Sequence, residues 1–326
     1  MLLLAREMGV LNLGTVALDG TKIHANASRH SALSYEHAGK LEAQLKAEVG
    51  ALLAKAEAAD KADIPDGMSI PKELERREKR LKKLAEARAA ERLAHEQAEY
   101  EAKIAAREAK AKARGKKPGG KPPAPPAVGP GPSDQIHLTD EDSRIMPVPG
   151  GGFEQCYNAQ AVVTADSLLV VAPDVVQAAN DKQQLEPMLG KLAALPADLG
   201  APQTVLGDNG YFSAANVAAC AAAGIEPLLA LGRAPHHPSL AERFAAAPPA
   251  PENPTPLEAM THRLATPEGK KLYGLRKRTP EPVFGIIKSV LGFRQFLLRG
   301  LDKVRGEWRL VTMAWNLKRI FALSAR

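Results

Sequence analysis

At 326 residues the chain can bury a sizeable core and can hold one elaborated domain or two. Its net charge of +7 suits a polyanionic partner, and its 4% aromatic content disfavours a single-strand binder that works by stacking bases. Two distant cysteines and the lack of any apolar run near ~20 residues argue against a structural zinc site and a membrane span, so we expect a cytoplasmic protein without a membrane partner.

The first predicted elements are the end of a helix at residues 2–7 and a short apolar strand that leads to Asp19 in GTVALDGTKIHANA. Gly20 follows this aspartate directly. An acid beside a glycine at the end of a buried strand is a common way to deliver a carboxylate to a cleft. A single aspartate in such a place is more often a turn residue, so a functional interpretation needs further acids.

Residues 34–114 are predicted to form an antiparallel helical hairpin that projects from the core. Ser34 can cap the first helix, which extends to residue 60 and carries an apolar stripe at helical spacing. The second helix runs from about Lys72 to Arg114, and its apolar positions are too sparse for a full coiled-coil seam. Its basic residues either contact DNA or form a solvated face, and the solvated face is the commoner outcome.

A Pro- and Gly-rich segment at residues 115–134 predicts a flexible linker, after which the pattern becomes that of a folded core. Asp208 stands at the end of an apolar run in QTVLGDNGYFS, again with a glycine beside it. The predicted core elements are strands at Phe153–Thr164 and Ser167–Val176, a helix at Asn180–Ala194, a strand at Val205–Asp208, a helix at Ser213–Ala223 and a strand at Pro227–Ala230.

The segment from Gly232 to Thr266 is predicted to be a loop-rich insertion with a short helix near Pro238–Ala247. It contains His236 and His237, which resemble a ligand pair at first sight. Because neither cysteine nor further spaced histidine lies nearby in the sequence, a surface loop is the better interpretation of this pair.

The last predicted helix begins in KLYGLRKRTPEPVFGIIK. Thr279 can act as its N-cap and Pro280 suits its first position, which places Glu281 in the first turn. Lys288 is seven residues further on, about two turns, so its ammonium and the Glu281 carboxylate share one face. Gly285 lies between them and leaves open space. An ordinary amphipathic helix with two surface charges is the alternative interpretation.

Together, Asp19, Asp208 and Glu281 provide three carboxylates, enough to hold a pair of hard divalent cations. Their order, followed through the Tyr-x2-Arg-x4-Glu-x6-Lys pattern, resembles the DDE transposases of bacterial insertion sequences, in the branch with a Tyr–Arg–Glu–Lys signature. FEQCYNAQAVV is similar to the second core strand of that family, and EWRLVTMAWNLKRI to its closing helix. Arg276 and Arg278 both compete for the arginine position of the signature.

The resemblance implies an α/β fold of the ribonuclease-H-like class, in which helices flank a mixed sheet. On this basis we expect residues 1–33 to hold the first core strand of the catalytic domain. The helical hairpin at 34–114 and the linker at 115–134 would interrupt that domain, and 135–326 would complete it. We also expect the chain to lack the N-terminal DNA-binding domain that is usual in the family.

The implied activity is metal-dependent cleavage and transfer of DNA strands with two Mg²⁺ or Mn²⁺ ions, for which Asp19, Asp208 and Glu281 are the ligands. By the same resemblance Tyr273, Arg276 and Lys288 would contact DNA. The expected partners are double-stranded DNA, as transposon ends and target, and a second copy in a homodimer on DNA. Two alternatives are a nuclease on the same fold and an inactive DNA-binding remnant of a transposase.

Overall fold

The structure, a computed structural model, describes residues 1–28, 32–34, 135–137, 139–148, 150–232, 249 and 251–325, together with isolated positions between 40 and 125. The chain divides into two compact units. One unit consists of Met1–Arg29 and Asp142–Arg326, and the other of His30–Glu141. The predicted domain boundaries, which place all but an inserted hairpin and linker in one catalytic domain, stay a prediction.

The larger unit is built on a mixed six-stranded sheet with β1 at its centre. β5 pairs antiparallel with one edge of β1, β7 and then β8 follow in parallel on the other edge, and both β4 and β6 pair with the far edge of β5. This arrangement is compatible with a ribonuclease-H-like fold. The strands of the described residues are β1 (Thr15–His24), β2 (Ala32–Ser34), β3 (Gln135–His137), β4 (Arg144–Pro147), β5 (Phe153–Thr164), β6 (Val170–Val176), β7 (Thr204–Gly207) and β8 (Glu226–Leu229).

Helices cover both faces of this sheet because successive side chains of a strand point to opposite sides. Val16 and Leu18 of β1 belong to the core on one face, and Ile23 belongs to the core on the other. The described α-helices are α1 (Leu2–Glu7), α2 (Leu185–Ala193), α3 (Ala214–Ala222), α4 (Pro256–Ala265), α5 (Pro267–Gly274), α6 (Pro280–Ser289) and α7 (Leu301–Ser324). Buried residues of α2 and α3 join the first core, and those of α6, with Trp308 of α7, join the second.

β5 is a long buried strand, with every residue from Gln155 to Thr164 inside the protein. Its bounds are those predicted from the sequence. The closing helix α7 is fastened to this part of the sheet: the indole N–H of Trp308 donates to the carbonyl of Gln160, and the Asn316 side chain bonds both the N–H and the carbonyl of Val170. α7 is therefore held by hydrogen bonds as well as by apolar packing.

The smaller unit contains an antiparallel pair formed by β2 and β3. Beside it, the imidazole Nδ1 of buried His137 accepts the backbone N–H groups of Thr139 and Asp140. The prediction that Ser34 caps a helix is wrong, because Ser34 pairs with Gln135 in this small sheet. Most of the predicted hairpin, and nearly all of the predicted linker, lies outside the described residues.

For two elements of the larger unit, the predicted first residue precedes the first residue in the structure. The second strand of the hairpin begins at Val170 rather than Ser167, since residues 165–169 form the turn back from β5. The helix predicted from Asn180 begins at Leu185, because the preceding residues form a turn. Outside these shifts, β7, α3 and β8 lie within one residue of their predicted bounds.

The prediction of a loop-rich segment that extends to Thr266 is wrong near its end. Residues 256–265 form α4, whose start is fixed by a capping box in which Thr255 and Glu258 satisfy each other's backbone N–H. The loop composition of PPAPENP obscured this signal. His236, His237 and the helix predicted near Pro238–Ala247 lie outside the described residues.

Within the described residues no helix is both long and apolar enough to cross a membrane. Cys156 and Cys220 are buried free thiols. Burial raises the pKa of the Cys156 thiol to about 11 and that of the Cys220 thiol to about 12, so both stay protonated and pack as small apolar groups.

Candidate active site

Asp19 lies in the middle of β1, so the prediction that it ends a strand is wrong. β5 pairs with β1 as far as His24, whereas β7 pairs with it only as far as Ala17. The end of β7 therefore leaves one edge of β1 open beside Asp19. By strand alternation Asp19 lies on the same face as Ala17 and Ile23, the face that α6 covers.

Asp208 directly follows β7, as the sequence predicts. It is the N-cap of a short 3-10 helix at Asn209–Tyr211, and its Oδ1 accepts the backbone N–H of Gly210 at 2.8 Å. The Asp208 side chain is 40% exposed, so its other oxygen, Oδ2, can bind a second group. The strand end and the cap together hold this carboxylate beside the open edge of β1.

Glu281 occupies the first turn of α6, directly after Pro280, as predicted, and 54% of its side chain is exposed. Thr279 precedes the helix but does not cap it, because its hydroxyl donates instead to the carbonyl of Leu275 at 2.8 Å. A side chain at Gly285 would meet no atom within 4 Å, so the predicted open space between Glu281 and Lys288 is present.

One arginine contacts all three carboxylates. Its Nη2 lies 3.5 Å from Oδ2 of Asp19 and 3.5 Å from Oδ2 of Asp208, and its Nη1 lies 3.4 Å from Oε1 of Glu281. This residue is Arg276, in a 3-10 helix at Leu275–Arg278 between α5 and α6. The fold thus brings the three predicted acids around a single cationic group, although they come from separate parts of the chain.

The two remaining residues of the predicted set lie on either side of this cluster. Lys288 donates from its Nζ to the hydroxyl of Thr21 at 2.6 Å and to the carbonyl of Lys22 at 2.8 Å, which ties α6 to β1. Burial and the nearby Lys22 lower the pKa of Lys288. Tyr273 is half-buried against a small apolar cluster that includes Ala17, and burial raises the pKa of its hydroxyl.

Residues 250–321 match the family model described as "Transposase DDE domain". The matched region contains Tyr273, Arg276, Glu281 and Lys288 and extends through most of α7. It supports a DDE transposase, a class of DNA-cleaving enzymes that generally use divalent metal ions and whose partner is DNA. A comparison with curated proteins finds no match.

Burial raises the pKa of Asp19 to about 7, although Arg276 and the N–H of Gly20 both act in the opposite direction. Only 14% of the Asp19 side chain is exposed, and the negative charges of Asp208 and Asp181 add to the effect of burial. A single guanidinium shared among three carboxylates therefore leaves Asp19 short of positive charge. A further cation bound here would favour its ionised form.

The donor set fits a hard divalent cation, since carboxylate oxygens are the ligands that Mg²⁺ and Mn²⁺ prefer. In the described parts of the chain no three acidic, histidine or cysteine side chains already stand close enough together to cage a metal ion. The guanidinium of Arg276 instead lies between the carboxylates of Asp19, Asp208 and Glu281.

A fourth acid, Asp181, was not predicted. Its Oδ1 accepts the side-chain N–H groups of Asn158 and Gln160, each at 2.7 Å, and both of these amides are fully buried on β5. Tyr211, three residues after Asp208, donates from its hydroxyl to Oε1 of Gln160 at 2.5 Å. Asp181 is therefore linked through Gln160 to the turn that carries Asp208.

Gly20 allows this cluster to approach β1. A Cβ atom at Gly20 would stand 2.6 Å from Oδ1 of Asp181, 2.8 Å from Oδ1 of Asn158 and closer still to the amide of Gln160. The polar cluster thus packs against the backbone directly after Asp19, on the opposite face of the strand. The sequence signal for it was a pair of amides at alternate positions of a buried strand, because buried amides require partners.

Proposed function

We propose that this protein is a transposase that cleaves DNA strands and transfers them, and that Asp19, Asp208 and Glu281 hold the divalent cations it requires. The convergence of these three carboxylates on one cationic group carries the proposal. The match of residues 250–321 to a transposase domain supports it, because the matched part supplies Glu281 and the flanking basic residues.

In this proposal Asp19 is the shared ligand, while Asp208 and Glu281 each hold one of two Mg²⁺ or Mn²⁺ ions. Such a pair, when bound, stabilises the negative charge on the attacking and the leaving oxygen of a phosphodiester. The buried position of Asp19 supports its assignment as the shared ligand, since it lies between a rigid strand and α6. Asp208 and Glu281 are more exposed and face the solvent side of the cluster.

The basic residues of the site would hold the DNA backbone. Lys288 uses two of the three donors of its ammonium on β1, which leaves one N–H for a phosphate oxygen. Arg276 has the planar fork that pairs well with phosphate. Tyr273 would position a phosphate or stack on a base beside them. Such contacts fix the position of the strand and carry no sequence information.

The expected partners are duplex DNA, as transposon ends and as target, and a second copy of the chain on that DNA. The net charge of +7 supports binding to a polyanion. Affinity for duplex should therefore fall steeply as salt concentration rises, since each neutralised phosphate releases a counterion.

Incubation of supercoiled plasmid with the protein and Mn²⁺ tests the proposal, with nicked and joined products separated on a gel. We expect both kinds of product from the wild type and neither from Asp208→Asn. Cleavage without joining would favour a nuclease on the same fold. Binding without any cleavage in Mg²⁺ or Mn²⁺ would favour an inactive DNA-binding remnant.

A further inference from the structure

Arg276 contacts the same carboxylate oxygens that a divalent cation would need. We propose that Arg276 is an internal counter-ion, which competes with divalent cations for Asp19, Asp208 and Glu281 and is withdrawn from them by a DNA phosphate. This inference rests on the proposed function, because it concerns the same three acids. It adds a link between DNA binding and cation binding that the three acids alone do not provide.

The contacts of Arg276 are numerous but long. They measure 3.4–3.5 Å, whereas close charge-assisted hydrogen bonds between nitrogen and carboxylate oxygen measure about 2.7–2.9 Å. Among the described residues, Nε of Arg276 is buried and has no hydrogen-bond partner. The guanidinium is thus held by the sum of three negative charges rather than by well-formed bidentate pairs. A stronger ligand can displace it.

A divalent cation and the guanidinium cannot occupy the same place among these oxygens. While Arg276 is present, the three acids are partly neutralised and an incoming cation must displace it. When Arg276 is removed, three carboxylates with one deeply buried member lose their nearest positive charge. Their affinity for a cation must then rise, because no positive group repels the incoming cation or occupies its place among the carboxylate oxygens.

The segment around Arg276 is suited to DNA. Lys277 and Arg278 follow it in the same 3-10 helix and are exposed. A phosphate that approaches these two cations arrives beside Arg276, whose fork can pair with phosphate oxygens in two places. Bound DNA would therefore favour the displaced position of Arg276 and raise the affinity for the cation. By thermodynamic linkage, bound cation must raise the affinity for DNA by the same factor.

Calorimetric titration of the full chain with Mn²⁺ tests the competition directly. We expect Arg276→Gln to bind Mn²⁺ at least about tenfold more tightly than the wild type, a factor that corresponds to about 1.4 kcal/mol. Arg278→Gln is the matched control, because it removes one positive charge from the same helix without removing a contact to the acids. Its Mn²⁺ affinity should stay within about twofold of the wild type.

The second measurement is the effect of DNA on the cation. A random-sequence duplex should tighten Mn²⁺ binding by the wild type and, to a smaller extent, by Arg278→Gln, which has lost one of the two cations that attract the phosphate. It should leave the already tight binding by Arg276→Gln nearly unchanged. Arg276→Lys keeps the charge but lacks the fork that reaches three carboxylates, so its Mn²⁺ affinity should lie between the two. This variant also provides the comparison if Arg276→Gln melts at a lower temperature.

Asp208→Asn, alone and combined with Arg276→Gln, separates failure of this inference from failure of the proposed function. Equal Mn²⁺ affinities of the wild type, Arg276→Lys and Arg276→Gln, with Asp208→Asn weaker than all three, would overturn the counter-ion role and keep the metal assignment. A gain of Mn²⁺ affinity in Arg278→Gln equal to that in Arg276→Gln would also overturn the counter-ion role. Mn²⁺ binding that does not depend on Asp208 in either background would overturn the proposed function itself.

Discussion

The guanidinium of Arg276 lies 3.5 Å from the carboxylate of Asp19, although 257 residues separate them in the sequence. The same nitrogen is 3.5 Å from Oδ2 of Asp208 as well. The distance between the Oδ2 atoms of Asp19 and Asp208 therefore cannot exceed the sum of these two distances. One guanidinium thus connects the central strand, the turn after β7 and the segment that leads into α6. The consequences of this arrangement can be measured without knowledge of the DNA sequence that the protein recognises.

The raised pKa of Asp19 predicts a pH-dependent stability in the metal-free protein. The carboxyl titrates near 3.8 when unfolded and at about 7 when folded, so between these values the folded state binds the additional proton. Its contribution to the free energy of unfolding is full below about pH 4 and is lost as the pH rises through 7. Urea midpoints from pH 4 to 8 should show this loss in the wild type and not in Asp19→Asn. Urea midpoints that change equally with pH in the wild type and in Asp19→Asn would contradict this prediction.

The affinity for Mn²⁺ should depend on pH in the opposite direction to the stability of the metal-free protein. A cation needs the ionised form of Asp19, so near pH 6 its binding should release a proton and its affinity should rise towards pH 8. Titrations in buffers of different ionisation enthalpy measure the released proton. Glu281→Gln should weaken Mn²⁺ binding but keep this proton release, because its carboxyl is not the buried one.

Glu281→Gln and Lys288→Ala should fail in different ways. The first keeps shape and loses the charge that would hold a cation, so strand cleavage should vanish while DNA affinity survives or rises. The second removes one phosphate contact, which should lower the slope of the salt dependence by about one unit. It also removes two hydrogen bonds to β1, so we expect a loss of about 1–3 kcal/mol in stability. Lys277→Ala, at an exposed position, is the control for stability. If Glu281→Gln cleaved at the normal rate, the assignment of Glu281 as a metal ligand would be wrong.

Asp181 and Tyr211 should be energetically coupled because both bond the side chain of Gln160. In a double-mutant cycle we expect Asp181→Asn and Tyr211→Phe to show a coupling of about 0.5–3 kcal/mol in the free energy of unfolding. Asp302→Asn, which removes an almost fully exposed acid in the first turn of α7, should add to Tyr211→Phe without coupling. Additivity in both cycles would show that the cluster does not act as a unit.

Gly20→Ala and Gly285→Ala form a contrasting pair. The new methyl group at Gly20 would collide with Asp181, Asn158 and Gln160, so the variant should be strongly destabilised and should lose Mn²⁺ binding. At Gly285 it would meet no atom, so the helix should gain about 0.5–1 kcal/mol from the higher helix propensity of alanine. Weaker DNA binding by the stabilised Gly285→Ala variant would indicate that the open space receives DNA. Thermal melting and duplex binding measure both effects.

The sequence alone determined the elements whose signals are local. The strand pattern of FEQCYNAQAVVT predicted the bounds of β5, Pro280 marked the first position of α6, and the short apolar run before Asp208 predicted the end of β7. These predictions succeeded because strand burial and the tolerance of proline at a helix start depend on near neighbours in the chain.

Tertiary structure decided everything that depends on pairing across the chain. Asp19 lies inside β1 because β5 continues beside it after β7 has ended, and no residue near Asp19 encodes that difference in length. Arg276 meets the three acids, and the folded chain alone distinguishes it from Arg278, since both arginines stand in the same short 3-10 helix. Asp181 packs against Gly20, directly after Asp19, because two buried amides of β5 need an acceptor. Charge and hydrogen-bond complementarity act between residues that only the folded chain brings together, which is why composition and spacing could supply the acids but not their arrangement.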